Sequence, residues 1–598
     1  MCAIFGIIGS YDTNKAKKSL SKLTHRGPDA TNIIEKEEFF FAHQLLNIQN
    51  NKTKQPLSKN EILISFNGEI YNHKELQNEL NNYGFKPQDE IEVLADAYKH
   101  WGVDFVNKLR GMFAIAIKDK DTLYLFRDRL GKKPLFYLQD KSFIFASEIK
   151  ALVPYLSKTE MDIDAFLSYL SFSAPTPPYT FFKGIKKLAA GECLEYKDNK
   201  VTIKKYFNIL DAKPNLITNK DEALHLLESK LKESINIRLH SDAPMASLLS
   251  GGIDSATINH FALHNQHDLQ TYTLGYKEYE KYDEGIDAKE SADFLGLKNK
   301  RVEISIDDYS NNSDEILDSL DEPLNDPAAI PLHLLFREIK KDGYKVVLSG
   351  EGSDELFLGY RHYFNYLDIE QMKNLKNKNW LKRYFKSNYD QNREWEWYKR
   401  VLEGSVLFRT SGEKFTDTQK NNLLRQNIED NQSLKYIKPY RDIFNASEHK
   451  DEAEWYSYID LQLFQAEHFL TKLDRVSMAH SIESRTPFLD HEFTSLVFSI
   501  DAKLKYQDTT TKSLLKQIMK KHLPKEILNR KKKGFSNPYM EYLIESKKIS
   551  LIQEVNKKTQ LFKERELKEF IKGSNTKSFK HHIWGLYVLS VWIKKHLL

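Results

Sequence analysis

The part of this chain beyond residue 208 predicts an α/β fold, a doubly wound parallel sheet, from three observations. Short apolar strand-like runs alternate with helical patterns, two of the runs end in glycine-rich turns, and a stretch of broken periodicity precedes them all. The runs are Met245 to Leu249, Leu269 to Gly275 and Tyr344 to Leu348. Apolar strands alternating with helices imply a sheet covered on both faces, with ligands at the carboxyl ends of its strands.

The first run leads into Ser250-Gly251-Gly252-Ile253-Asp254-Ser255 and a helical pattern from Ala256. Strand, glycine turn and helix together form a phosphate-binding arrangement. The glycines let backbone N–H groups approach phosphate oxygens, the hydroxyls of Ser250 and Ser255 add donors, and Asp254 offers a carboxylate to Mg2+. No Walker A sequence occurs. The third run leads into Ser349-Gly350-Glu351-Gly352-Ser353-Asp354-Glu355. Acids after a strand are also ordinary helix caps and first-turn residues; the glycine-rich frame favours a site.

The chain opens on Met-Cys-Ala-Ile-Phe-Gly-Ile-Ile-Gly, apolar but without the basic start and cleavage site of a signal peptide, and reads as a first strand. Removal of Met1 would leave Cys2 with a thiol and a free α-amine, a nucleophile with its own base. The amine's ordinary pKa, roughly 7.7 to 8.0, suits proton transfer in both directions. A buried cysteine is otherwise an inert small hydrophobe.

Around Cys2 stand His25-Arg26-Gly27-Pro28-Asp29, Asn67-Gly68-Glu69-Ile70-Tyr71-Asn72, Asp128-Arg129-Leu130-Gly131 and Ala146-Ser147-Glu148. Each run alone is common turn chemistry. Together they resemble an N-terminal-nucleophile glutaminase domain, which implies an α+β sandwich. In that family the Asn67 amide and the Gly68 N–H supply the oxyanion hole, Arg26 shapes the pocket, and Glu69 holds the α-ammonium of glutamine. Two positions depart from the pattern. Leu45 replaces the arginine expected to clasp the substrate's α-carboxylate, a bidentate contact leucine cannot make. Asp89-Glu90-Ile91-Glu92-Val93 puts Glu90, or a slipped Asp89, at the ammonium-binding position. The expectation is that glutamine binding is weakened, or that another basic residue substitutes.

Ser-Gly-Gly-x-Asp-Ser in turn resembles the pyrophosphate loop of ATP pyrophosphatases. Further runs complete the match: Asp321-Glu322-Pro323, Asp326 to Pro331, Leu470 to Glu483 with Thr471-Lys472-Leu473-Asp474-Arg475, Pro487 to His491, and Arg530 to Phe535. Across residues 2 to about 205 and about 225 to 598 the chain resembles glutamine-dependent asparagine synthetases. The resemblance implies ATP contacts at Leu249, Ser250, Gly251, Gly252, Ser255, Leu274, Ser349 and Gly350. It also implies Mg2+ carboxylates at Asp254 and Asp354, deprotonation of ammonia by Glu351, and a pyrophosphate-holding lysine at Lys472. The expected domains are residues 1–208, a class II glutamine amidotransferase domain, and 209–598, an adenylate-forming synthetase domain. A dry passage for ammonia between the two sites follows from the same resemblance.

The expected reaction is ATP-dependent amidation of a carboxylate, aspartate first, through a β-aspartyl adenylate. Three rivals stand against it: amidation of another carboxylate such as a uronic acid, a β-lactam-forming synthetase, and a nucleotide-binding regulator without turnover. Intact Cys2 argues against the second, and intact Asp254, Glu351, Asp354 and Lys472 against the third. The first remains, since ATP motifs do not name the acceptor.

A chain of 598 residues is too long for one core and suggests two domains, with 29% charged and 40% hydrophobic residues as in ordinary globular proteins. A formal charge of +5 favours neither nucleic acid nor an acidic membrane, and neither is an expected partner. Two cysteines, Cys2 and Cys193, argue against a structural disulfide framework, so a cytoplasmic setting is expected. Glutamine, ATP and a small carboxylate are the expected partners; a homodimer stays open.

The linker is expected around Leu210 to Asn219, before a helix over Lys220 to Arg238. The proline-rich run Ser171 to Thr180 is read as a surface loop over the domain junction. Residues 366 to 455, with Trp380, Trp395 and Trp397, are read as helical filler, and Ile583 to Leu598 as a packed terminal helix too short to span a bilayer.

Overall fold

A computed structural model describes residues 2–598 except 50–52, 267, 377–378, 389–392, 409–413, 430, 507, 531–535 and 574–578. The first 205 residues form two six-stranded antiparallel sheets. One runs, in spatial order, Ile185–Lys187, Phe136–Gln139, Phe143–Ala146, Cys2–Ile8, Phe39–Leu45 and Ala30–Lys36. The other runs Lys200–Lys205, Glu192–Lys197, Thr122–Arg127, Gly111–Asp119, Ile62–Ile70 and Leu57–Lys59.

Alternation along each strand decides what lies between the sheets. Ile4, Phe41 and Phe145 of the first sheet meet Leu63, Ala114 and Leu125 of the second in one buried cluster. Ala3, Phe5 and Ile7 face the other way, against Leu20 of helix Thr13–Ser21 and Phe166 of helix Ile163–Phe172. Helices His73–Asn81 and Glu90–Trp101 cover the outer face of the second sheet. Every layer thus buries an apolar face, which is the expected α+β sandwich.

The remaining sheet is parallel, in the spatial order Asn299–Ile304, Gln270–Tyr276, Met245–Leu248, Val346–Leu348 and Glu483–Arg485. The chain starts in the centre, moves outward through two strands, then returns to the other side. Helix Ala329–Lys341 shares one face with Ala246, Tyr272 and Val347. Helices Lys220–Ile237 and Ile253–Ala262 share the other with Met245, Val346 and Leu348. This is the doubly wound arrangement, and its topological switch lies between Met245–Leu248 and Val346–Leu348.

Two of the five strands are not visible as apolar runs. Asn299–Ile304 is an edge strand that buries only Val302 and Ile304, and Glu483–Arg485 is charged at both ends. The helix expected from Lys220 runs Lys220–Ile237, started by Asn219, whose side chain accepts from Glu222 N. The run Ser171 to Thr180 is not a surface loop. Ser171, Ser173 and Thr180 are fully buried, and backbone N–H groups of Asn325 and Lys414 donate to Ser173 O and Ser171 O. The carbonyls that proline leaves free are satisfied by the second half of the chain, which closes over them.

The described part of residues 366 to 455 is mainly helical, as read, with helices Asn379–Asn388, Arg393–Leu402, Asp417–Leu423 and Leu434–Ala446. The C-terminal helix Lys580–His596 buries Trp584 and Leu586 completely. No helix among the described residues is long and apolar enough to cross a membrane.

Candidate active sites

The period of two that builds the sandwich core also builds the first site. Cys2 lies opposite Leu45 in register and on the same side of its strand as Ile4, so both side chains face the space between the sheets. Asn67 and Glu69 share the inward side of their strand with Leu63. Cys2, Asn67 and Glu69 therefore converge at one end of the sandwich. Cys2 N–H donates to Asn67 Oδ1 at 3.0 Å. Asn67 Nδ2 is buried and has no hydrogen-bond partner among the described residues, so a donor stands ready for an incoming anion. Gly68 is required by close approach, since a Cβ there would lie 2.0 Å from Met112 O. Burial raises the Cys2 thiol pKa, so a base at its side is needed for attack.

Glu69 is 4% exposed and takes a hydrogen bond from the Gln49 amide. Burial pushes its pKa up to about 7. Glu90, at the start of helix Glu90–Trp101, accepts from Ile70 N at 2.5 Å, and burial with Glu69 beside it raises its carboxyl well above the usual range. Asp89 is turned away, accepting from Glu92 N and Thr53 N. Glu90 is thus the acid that faces the site.

Arg26 departs from the expectation of a glutamine contact. It is fully buried, with Nη1 donating to Glu148 at 2.8 Å and Asp474 at 2.7 Å, Nη2 to Asp474 at 3.0 Å, and Nε to Cys2 O at 3.4 Å. A guanidinium so deeply desolvated needs carboxylates on more than one side, and they come from both halves of the chain. It braces Cys2 from behind. Arg127–Glu467, Lys187–Glu322 and Arg110–Asp490 are further buried pairs across the same junction.

The second site lies at the switch point of the parallel sheet. Leu249 to Gly252 follow the central strand and Ser349 to Gly352 its neighbour, so both glycine turns meet at the carboxyl ends, with Leu274 near the end of the strand beside them. The hydroxyls of Ser250 and Ser255 bond to each other at 3.0 Å, and Ser250 Oγ accepts from Gly252 N at 3.2 Å. Gly251 is fixed by packing, since a Cβ would meet Asp287 Cβ at 2.3 Å. Gly350 approaches Asp254 similarly, at 3.3 Å. Arg530 Nη1 donates to Gly251 O at 2.8 Å. The first residue of the basic run thus supports this turn rather than an exposed patch; Lys531 to Phe535 lie outside the described residues.

Asp254 and Asp354 converge on one cation. Lys512 Nζ lies 2.5 Å from Asp254 Oδ2 and 2.8 Å from Asp354 Oδ1. Nothing in the sequence marks Lys512: it follows three threonines, in no motif, and only the fold brings it here. Lys472, in helix Leu470–Met478, is 2% exposed and donates to Asp326 Oδ2 at 2.7 Å. Its charge outweighs burial and holds the Asp326 carboxyl well below the usual range. Burial pushes Glu351 up to about 6, with Lys472 opposing. A buried lysine flanked by two acids, beside a glycine turn and two converging carboxylates, can balance charge on a phosphorylated reactant and move a proton.

The chain is similar to known proteins along most of its length. Residues 1–207 match the family model of the glutamine amidotransferase domain, and residues 226–594 that of asparagine synthase. Glutamine-hydrolyzing asparagine synthetase 1 of Bacillus subtilis is 33% identical, covering 91% of this chain and 88% of that one. Synthetase 3 of the same organism is 28% identical, covering 89% and 86%. A solved glutamine phosphoribosylpyrophosphate amidotransferase of B. subtilis, complexed with ADP and GMP, aligns with 50% of this chain and 65% of its own, at 16% identity and a TM-score of 0.27. On the match to the synthase model and the identity sustained over nine-tenths of its length, the chain belongs to the family of glutamine-hydrolysing asparagine synthetases.

Proposed function

We propose that this enzyme converts aspartate to asparagine, with ammonia released from glutamine at Cys2 and the carboxylate activated by ATP in the second half of the chain. The observation that carries the reading is the pairing, in one chain of this family, of the Cys2–Asn67 pocket with the Lys472–Glu351–Asp254–Asp354 cluster. Aspartate as acceptor rests on the relatives' own naming as asparagine synthetases. We take residues 1–208 and 209–598 as the two domains, in line with the matched ranges 1–207 and 226–594.

In the first domain, loss of Met1 exposes the Cys2 amine, which Asn67 Oδ1 holds at 3.0 Å. The amine takes the thiol proton, sulfur attacks the side-chain carboxamide of glutamine, and the oxyanion is met by Asn67 Nδ2 and Gly68 N–H. Collapse expels ammonia, which receives the proton back from the amine, and water then releases glutamate from the thioester. Arg26 fixes the Cys2 carbonyl and with it the direction of the amine.

In the second domain an oxygen of the acceptor carboxylate attacks the α-phosphorus of ATP and pyrophosphate leaves. Leu249 to Gly252, Ser255, Leu274, Ser349 and Gly350 would line the nucleotide, and Lys472 would balance the charge that gathers at phosphorus. Asp254 and Asp354 would hold Mg2+: two hard carboxylates already converge on one ammonium there. The bound ion would supply charge neutralisation of the phosphates. Ammonia attacks the acyl carbon, its surplus proton passes to Glu351, and AMP leaves. A carboxyl with a pKa near 6 is ionised at neutral pH yet still a competent base.

Glu69 gives the glutamine site a pH dependence. The carboxylate form binds an ammonium and the acid form does not. Because burial raises Glu69 and the adjacent Glu90 titrates with it, binding weakens as pH falls through the raised range of the pair. Calorimetric titration of glutamine into a Cys2→Ala variant should show Kd rising toward tenfold per pH unit below pH ~7. A Kd flat across that range would remove Glu69 from the ammonium site.

The acceptor is tested by the mass of the amidated product formed from ammonium and ATP. Asparagine supports the reading; a sugar-acid amide replaces aspartate with a uronate.

A further inference from the structure

The glutaminase pocket lacks an arginine where its family pattern has one, since Leu45 stands at that place beside Cys2. The α-carboxylate of glutamine would enter a buried pocket beside two acids, and a leucine offers it neither charge nor donor. The last strand of the parallel sheet brings a cation to the same pocket. Arg485, at the end of Glu483–Arg485, is fully buried. Its Nε donates to Glu483 at 2.7 Å, and Nη1 donates to the carbonyls of Arg238 at 2.7 Å and His240 at 2.6 Å. Nη2 makes no hydrogen bond among the described residues and lies 3.7 Å from Glu69 Oε2. Tyr71, whose ring lies 5.8 Å from the guanidinium carbon, also keeps a buried hydroxyl without a partner among those residues.

An amino-acid head group carries its ammonium and carboxylate on one carbon, so its two charges lie about 3 Å apart, near enough to couple strongly out of water. Glu69 and the unbonded edge of Arg485 present the complementary pair at comparable spacing. Of the other cations near the pocket, Lys345 pairs with Asp29 at 2.9 Å and Arg238 with Asp490 at 3.0 Å, while Lys133 lies 3.9 Å from Asp474, beyond hydrogen-bond reach. We propose that Arg485 binds the α-carboxylate of glutamine, supplying from the synthetase half the contact that Leu45 cannot make. The proposal rests on the glutaminase reading given above. It makes Arg485 a specificity residue of the first reaction carried on the sheet of the second. Ser349 N donates to Arg485 O at 2.9 Å, so the head-group clamp and the start of the second glycine turn are one hydrogen bond apart.

The test compares glutamine with 4-aminobutanamide, the same amide without the α-carboxylate, as substrates for hydrolysis by the full chain. The native chain should prefer glutamine strongly, because a buried donor left unpaired penalises the smaller amide. In Arg485→Gln, kcat/KM for glutamine should fall about a hundredfold, mostly through KM, while the value for 4-aminobutanamide should change by less than about threefold. Leu45→Arg added to that variant should restore glutamine use. Equal losses on both amides, with cooperative thermal unfolding retained, would mean that Arg485 serves the fold alone and would overturn the proposal. Where Arg485→Gln does not fold, Leu45→Arg in the native chain decides. A redundant arginine should alter the glutamine KM by less than about threefold, whereas a drop of tenfold or more would show that the pocket had no clamp. If the native chain hydrolysed neither amide while amidating with ammonium, the glutaminase reading itself would fail, and this proposal with it.

Discussion

Replacing Cys2 by alanine is expected to abolish glutamine-dependent amidation, by roughly a thousandfold or more, while ammonium-dependent amidation continues. The size follows from the geometry. Asn67 Oδ1 holds the Cys2 nitrogen and Asn67 Nδ2 is left without a hydrogen-bond partner among the described residues; in the proposed mechanism, without sulfur there is no covalent step for either to serve. Alanine is smaller than cysteine and keeps the strand register of Cys2–Ile8 against Phe39–Leu45, so the sandwich and the Arg26 brace behind it persist. The two rates are read on one preparation, with either nitrogen donor at saturation. Loss of both would mean that the ion pairs joining the halves, Arg26–Asp474 among them, make the second site depend on the first.

The second large effect is expected at Lys472. It is buried against Asp326 at 2.7 Å and opposes the upward shift of Glu351. Lys472→Ala leaves carboxyl groups desolvated without their cation, a change that costs about 3–5 kcal/mol when one partner of a buried pair is removed. Pyrophosphate release should fall at least about a hundredfold with either nitrogen donor, because charge at the α-phosphorus is no longer balanced. Sign matters for the pH profile. Lys472 lowers the Glu351 pKa, so its removal should move the acid limb of any residual ammonium-dependent rate to higher pH. Lys472→Arg, which keeps the charge, should retain stability and part of the rate. Thermal unfolding with pyrophosphate assays checks both claims, and a fully active Lys472→Ala enzyme would remove this residue from the chemistry.

Local pattern made much of the architecture legible. The strand Met245–Leu248, its glycine turn and the helix after it are contiguous, so spacing alone carries them, and the same holds for Val346–Leu348 with Ser349 to Glu355. The strand opening at Cys2 and the helix from Lys220 were equally readable. What escaped was set by distant partners. Glu483–Arg485 is a strand because Val346–Leu348 pairs with it, although both its end residues are charged. Lys512 joins two aspartates from an unremarkable threonine run. Arg26 reads as a pocket residue until Asp474 appears beside it, 448 positions away in the chain. The proline-rich run after helix Ile163–Phe172 looked exposed because proline and serine favour turns, and its burial depends on groups contributed from Asn325 and Lys414. Cation partners across the domain junction leave no periodic trace in a sequence, whereas turns and amphipathic faces do.

The central claim, ATP-driven amidation of aspartate, is tested most directly by pyrophosphate release from Mg2+-ATP with ammonium as the nitrogen donor, in the presence and absence of aspartate. This bypasses the glutamine pocket and its Leu45. Release that depends on aspartate, with asparagine accumulating in equal amount, is the predicted result. Folded, ATP-binding enzyme that ignores aspartate would contradict it and turn the acceptor search to uronates and other carboxylates.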